Sequence, residues 1–142
     1  MKTVRDILEA KGRAVWSIDP ASSVFDALRL MAEKEIGALV VLDENRVAGM
    51  ISERDYARKV ILHGRASPTT LVKEIMTTHV AYTHLDQSIE ECMAIVTEKR
   101  IRHLPVLQDG KLIGIISIGD LVKAIIADQK FMIEQLERYI AT

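Results

Sequence analysis

Apolar residues recur at helical spacing twice along the chain, and each stripe is followed by two short apolar runs. Val24, Ala27, Leu28 and Met31 form the first stripe, predicting a helix opened by Ser23 and running through Glu35. Ile89, Cys92, Met93 and Val96 form the second, opened by Ser88. Each serine is followed three residues on by an acidic residue, Asp26 or Glu91, as in a capping box. The continuous apolar run at 38–42 then predicts a buried strand, matched at 104–107. Pro105 has no amide donor and belongs at the start or an edge of its strand. Asp43-Glu44-Asn45 and Gln108-Asp109-Gly110 read as tight hairpin turns. Second strands follow at 46–51 and 111–116, and Ser52 and Ser117 open helices that run to about Ile61 and Ile126.

The two stretches are copies of one unit. Residues 15–61 align with 80–126 without a gap and are identical at thirteen positions, among them Ser23/Ser88, Ile36/Ile101, Gly49/Gly114, Ser52/Ser117 and Asp55/Asp120. A shorter echo precedes each copy: Val4-Arg5-Asp6-Ile7-Leu8 resembles Val72-Lys73-Glu74-Ile75-Met76, a short lead helix in each half. The predicted fold class is α/β (α+β). Two βαββα repeats, neither able to bury its apolar face alone, are expected to pack sheet to sheet with pseudo-two-fold symmetry. The halves read as 1–66 (first repeat with its lead helix), 67–127 (second repeat) and 128–142 (a C-terminal helix), with a linker composition at 63–69. In the last segment Phe131, Ile133, Leu136, Tyr139 and Ile140 are apolar, which fits either a helix folded onto its own domain or a homodimer contact.

Composition narrows the function classes. With 19 basic and 20 acidic residues in 142, the net charge of -1 lacks the basic excess of a nucleic-acid binder. One cysteine, Cys92, allows no internal disulfide and lies on an apolar helix face, as a buried thiol would. No run of about 18 uncharged apolar residues points to a membrane span, and no signal peptide is read at the N-terminus. A cytoplasmic setting, with no membrane and no nucleic-acid partner, is the expectation. The histidines 63, 79, 84 and 103 show no metal-ligand spacing. There is no Walker-type loop, no Gly-x-Gly-x-x-Gly and no nucleophile with a partnered base, so no catalytic residue is assigned.

The feature that carries chemistry is Gly49-Met50-Ile51-Ser52-Glu53-Arg54-Asp55, repeated as Gly114-Ile115-Ile116-Ser117-Ile118-Gly119-Asp120. It falls where a strand ends and a helix begins, so free amides and a partial positive charge meet there. The serine can donate to a phosphate or cap the helix. The aspartate, about one turn on, can accept both hydroxyls of a ribose, and a glycine at the head lets backbone lie close to a ligand. The same Ser-x-x-Asp also reads as a plain N-cap pair, a device that stabilises a helix by about 1 kcal/mol.

These turns, the His103-Leu104-Pro105-Val106 stretch and the lead segment at 72–77 resemble the CBS-domain family, whose tandem pairs are called Bateman modules. The likeness covers nearly the whole chain and is strongest to small stand-alone bacterial CBS-pair proteins. It implies binding of AMP, ADP, ATP, NAD(H) or S-adenosylmethionine in clefts between the two repeats, and a non-catalytic energy- or redox-sensing role. By that resemblance Asp55 and Asp120 hold ribose hydroxyls, Ser52 and Ser117 lie near the α-phosphate, and Met50 and Ile115 contact adenine. Trp16 and Ala81 sit on the first strand of each copy, while Ile36, Gly37 and Ala38, and Ile101, Arg102 and His103, form the next wall. Arg54 faces Gly119 across the alignment, and Arg102-His103 face Gly37-Ala38, so the two sites are expected to differ in phosphate preference. A homodimer, an effector protein not identified by the sequence, and an adenine nucleotide are the partners implied. The other reading is a dimerising scaffold with vestigial clefts.

Overall fold

The computed structural model describes residues 2–141. In chain order the elements are α1 (Val4–Lys11), β1 (Ser17–Ile18), α2 (Val24–Lys34), β2 (Ala38–Asp43), β3 (Arg46–Ser52), α3 (Glu53–Tyr56), a π-helical turn (Ala57–Ile61), α4 (Val72–Ile75), α5 (Ile89–Lys99), β4 (His103–Gln108), β5 (Lys111–Ser117) and α6 (Ile118–Ala141). This is the mixed α/β architecture read from the sequence, with each main helix opening where its serine stands. Ser23 Oγ accepts from Asp26 N at 3.1 Å, and Ser88 Oγ accepts from Glu91 N at 3.1 Å. Both hairpins close with two left-handed residues: Glu44 (φ 49°) and Asn45 (φ 71°), and Asp109 (φ 52°) and Gly110 (φ 77°). That is the turn whose twist suits two adjoining antiparallel strands.

The two copies differ at their first strand. In the first copy β1 runs parallel to β2, which pairs antiparallel with β3. There Val40 donates its amide to Trp16 O at 3.4 Å. The position matching Val40 is Pro105, which has no amide to give. Among the described residues the second copy accordingly has a two-stranded β4–β5 sheet, and its first strand is reduced to a bridge between Thr83 and Val106. Pro105 thus sits on an edge paired only through its carbonyl, which accepts from Thr83 N at 3.0 Å, as its missing amide requires.

The packed units do not coincide with the sequence halves 1–66 and 67–127. One unit is Val15–Val80; the other joins the residues up to Ala14 to those from Ala81 onward. Each lead helix is therefore built into the core of the other copy. Val4, Ile7 and Leu8 of α1 are buried with Leu85, Ile89, Cys92, Leu104 and Ile116. Val72 and Ile75 of α4 are buried with Val24, Met31, Leu39, Ile51 and Val60. The motif glycines explain the fit. A Cβ at Gly114 would stand 2.9 Å from both methyls of Leu8, and one at Gly49 would stand 2.5 Å from Thr77 O and 3.1 Å from Met76 Sδ. Leu8 and Met76 are matching residues of the two lead segments. These glycines thus make room for a lead helix, where the sequence suggested room for a ligand.

Helix α6 continues past the second copy as one 24-residue helix. Its residues 129–141 are all exposed, so it is not folded back onto its own domain, the first of the two readings offered above. Among the described residues, no helix is long and apolar enough to cross a membrane.

Candidate functional site

Both Ser-x-x-Asp turns form as strand-to-helix corners, and both close into reciprocal caps. Asp55 N donates to Ser52 Oγ at 3.1 Å, while Ser52 N donates to Asp55 Oδ2 at 3.0 Å. Asp120 N donates to Ser117 Oγ at 3.1 Å, while Ser117 N donates to Asp120 Oδ2 at 2.8 Å. The preceding wall is tied to the same corner. Glu53 N donates to Gly37 O at 3.0 Å, and Ile118 N donates to Arg102 O at 2.8 Å. Ala38 lies opposite Ser52 in the ladder, and His103 lies opposite Ser117.

Each aspartate also meets one lysine, but from different parts of the chain. Asp55 Oδ1 pairs with Lys59 at 3.2 Å, one turn along, and accepts from Thr77 Oγ1 at 3.4 Å. The position matching Lys59 is Ala124, and there α1 supplies the charge: Lys11 Nζ lies 2.7 Å from Asp120 Oδ2 and 3.0 Å from Ile115 O. Sequence reading missed Lys11, Lys59 and Thr77. Lys59 stood at an i,i+4 spacing from Asp55 that could have been noticed. Lys11 and Thr77 become neighbours only through the exchange of lead segments.

The acceptor capacity of the two carboxylates is unequal. An ionised carboxylate has about four lone-pair sites. At Asp55 all are engaged, by Ser52 N, Ser52 Oγ, Lys59 and Thr77. At Asp120 only Oδ2 is engaged, and Oδ1 has no partner among the described residues. Burial pushes the Asp120 carboxyl up, but Lys11 and the Ser117 donors outweigh it and hold it below its ordinary range. Burial pulls His103 down, helped by Lys11 and Arg102 and opposed by Asp120. A hollow of about 300 Å³ between α1 and α6 opens beside this group, lined in part by Lys2, Lys11, Asp120 and Lys123.

The other expected residues fall around these corners. Met50 exchanges both backbone bonds with Thr77, at 2.9 and 2.8 Å, and Ile115 lies opposite Pro105. Ile36 and Ile101 are half-buried against their cores. Trp16 is 44% exposed and so is not a core residue; Lys34 Nζ sits 4.1 Å from its ring centroid. Ala81, matching Trp16, is half-buried, and no described backbone amide donates to its carbonyl. Arg54 and Arg102 are exposed and form no ion pair among the described residues. Cys92 is buried beside Thr83, and burial pushes its thiol up, which suits packing rather than nucleophilic chemistry. No group of three or more potential metal ligands occurs among the described residues.

The CBS-domain family profile matches residues 4–62 and again 72–127, one match per copy. The chain belongs to the CBS-domain family. As a CBS pair it is 35% identical over 148 residues to the mitochondrial CBS domain-containing protein CBSX3 of Arabidopsis thaliana, covering 97% of this chain and 71% of that protein. A solved CBS-domain protein from Burkholderia ambifaria is 56% identical with a TM-score of 0.87, covering 90% of this chain and 96% of that one. A CBS-domain pair solved in complex with 5′-methylthioadenosine and S-adenosyl-L-methionine shares the fold at a TM-score of 0.80 and 22% identity, covering 90% and 98%. CBS pairs are regulatory, signal-transduction modules, and the architecture here is that of a tandem CBS protein.

Proposed function

We propose that this CBS pair is a non-catalytic sensor of an adenine nucleotide, AMP, ADP, ATP or NAD(H), bound at one or both serine–aspartate corners. The observation that carries the reading is the Asp120 corner: a carboxylate held ionised, with Oδ1 unpartnered among the described residues, beside a lysine-lined hollow. A ribose hydroxyl can donate to Oδ1 without displacing anything, while Lys2 and Lys123, which line the hollow, can meet a phosphate. At Asp55 a ribose must first displace Lys59 or Thr77. The Asp120 corner is therefore the tighter site. A bound adenosine-containing ligand in a solved CBS pair supports the ligand class. Occupancy must stabilise one arrangement over another to act as a signal, and the output passes to an effector protein or to self-association of the chain as a homodimer, in a cytoplasmic setting.

Calorimetry with AMP and NAD(H) on wild type, Asp55→Ala and Asp120→Ala tests this. Asp120→Ala is expected to abolish the tighter binding and Asp55→Ala to leave it; unchanged binding in both variants overturns the assignment. A second reading is favoured by the closed caps: at both corners serine and aspartate already bond each other's backbone amides, as in a self-associating scaffold with vestigial sites. The two separate in a thermal-shift panel of AMP, ADP, ATP, NAD(H) and S-adenosylmethionine. Ligand at 100 times its dissociation constant adds about 2.7 kcal/mol of stability to a sensor and nothing to a scaffold.

A further inference from the structure

The free end of α6 carries an ordered apolar seam. Val122, Ile126, Gln129, Ile133, Leu136 and Ile140 follow one another at alternating spacings of four and three, and all are exposed. This is a heptad stripe with isoleucine at every a position (126, 133, 140) and Val122, Gln129 and Leu136 at d. Such a stripe is suited to a helix carrying the same spacing, not to a flat or irregular surface. Phe131 lies outside the seam.

The flanking charges choose the partner's direction. The two e positions inside the exposed stretch are Lys130 and Glu137, of opposite sign. Two parallel helices would set Lys130 against Ile125 and Glu137 against Met132, leaving both charges without a partner. Two antiparallel copies set e against e: Lys130 of each faces Glu137 of the other, and the two-fold axis makes this pair twice. In that register Ile133 packs on Leu136 of the second copy and Gln129 meets Ile140. We infer that α6 is an interaction surface for a second copy of this chain, joined as an antiparallel helix pair over residues 129–140. This deepens the self-association named above and is independent of nucleotide binding.

The test uses the full chain in sedimentation equilibrium. Leu136→Glu is expected to raise the dimer dissociation constant at least about tenfold. Because Leu136 is 57% exposed in the single chain, the variant's melt should lose the dependence on protein concentration that dimerisation confers and otherwise stay cooperative. Lys130→Glu and Glu137→Lys should each weaken the dimer about fivefold, and the double swap should restore it. Direction is read by disulfide trapping. Antiparallel packing puts Gln129 of one copy beside Ile140 of the other and separates the two copies of residue 129 by about 16 Å. A mixture of Gln129→Cys and Ile140→Cys should then cross-link, and neither variant alone should. Self-cross-linking of Gln129→Cys overturns the antiparallel pair. A dimer indifferent to Leu136→Glu overturns this interface and leaves self-association by another face standing. A monomer at every concentration removes both.

Discussion

Lys11 Nζ and Asp120 Oδ2 lie 2.7 Å apart, joining the last residue of α1 to the corner of the second CBS repeat across 109 positions of sequence. The pair holds a helix in place and sets the charge of the carboxylate proposed to receive ribose. Because Lys11 and Ser117 hold the Asp120 carboxyl down against burial, the ionised form is the one the fold prefers. A depressed carboxyl contributes stability at neutral pH that is lost as pH falls below about 4 and through its folded value. Lys11→Met is expected to cost about 1 kcal/mol in urea denaturation at pH 7. The cost should shrink as the pH is lowered toward 2. Equal cost across that range would show that Lys11 acts by packing alone.

His103 adds a second, higher window. Burial above all, then Lys11 and Arg102, favour its neutral form in the fold. The unfolded chain takes up the proton near pH 6.5, so the native state has more to lose as pH falls from about 6.5 through the lower folded value. Replacing His103 by Gln should flatten the fall of melting temperature between pH 7 and 5. A steeper fall in the variant would mean that the imidazolium is stabilised, with Asp120 as its partner.

The motif glycines should respond unequally to a methyl group. At Gly114 the added carbon meets the mobile end of Leu8; at Gly49 it meets backbone, Thr77 O at 2.5 Å. Gly114→Ala is expected to cost about 1–2 kcal/mol. Gly49→Ala should cost more, because backbone cannot step aside. Leu8→Val should recover part of the Gly114→Ala loss in a double-mutant cycle; strict additivity would remove the contact from the explanation.

Pro105 removes from the second sheet the ladder bond that Val40 makes in the first. Pro105→Val returns the amide that Val40 uses in the first copy, directed at the carbonyl of Ala81. Gains of about 0.5–1 kcal/mol and slower amide exchange at 81–83 are expected. If the carbonyl of Ala81 serves a ligand, as the family resemblance implies, the same change should weaken nucleotide binding while it stabilises the fold. Stabilisation with unaltered binding would take Ala81 out of the site.

Most of the local structure was legible because its causes are local. Ser23, Ser88, Ser52 and Ser117 cap the helices they precede, and the Asp109-Gly110 turn folds where its chemistry demands. The serine–aspartate corners were found because sequence spacing and spatial spacing agree over one helical turn. What could not be read was everything that depends on which copy a lead helix joins. Val4-Ile7-Leu8 and Val72-Ile75-Met76 have the same apolar pattern, so hydrophobicity alone could not assign either to its own half or the other. The roles of Lys11 and Thr77, and the reason for Gly49 and Gly114, followed from that assignment.

The exchanged lead helices bear on the order in which the protein forms during synthesis. The unit from 15 to 80 is contiguous and can close as soon as residue 80 has left the ribosome. Helix α1 is made before that unit, yet the residues that bury Leu8 and Val4, from Leu85 to Ala124, are made after it. Until then its apolar face has no native partner, so α1 stays unsheltered while the whole 15–80 unit is made. A helix made before the first unit is thus secured only after that unit has closed.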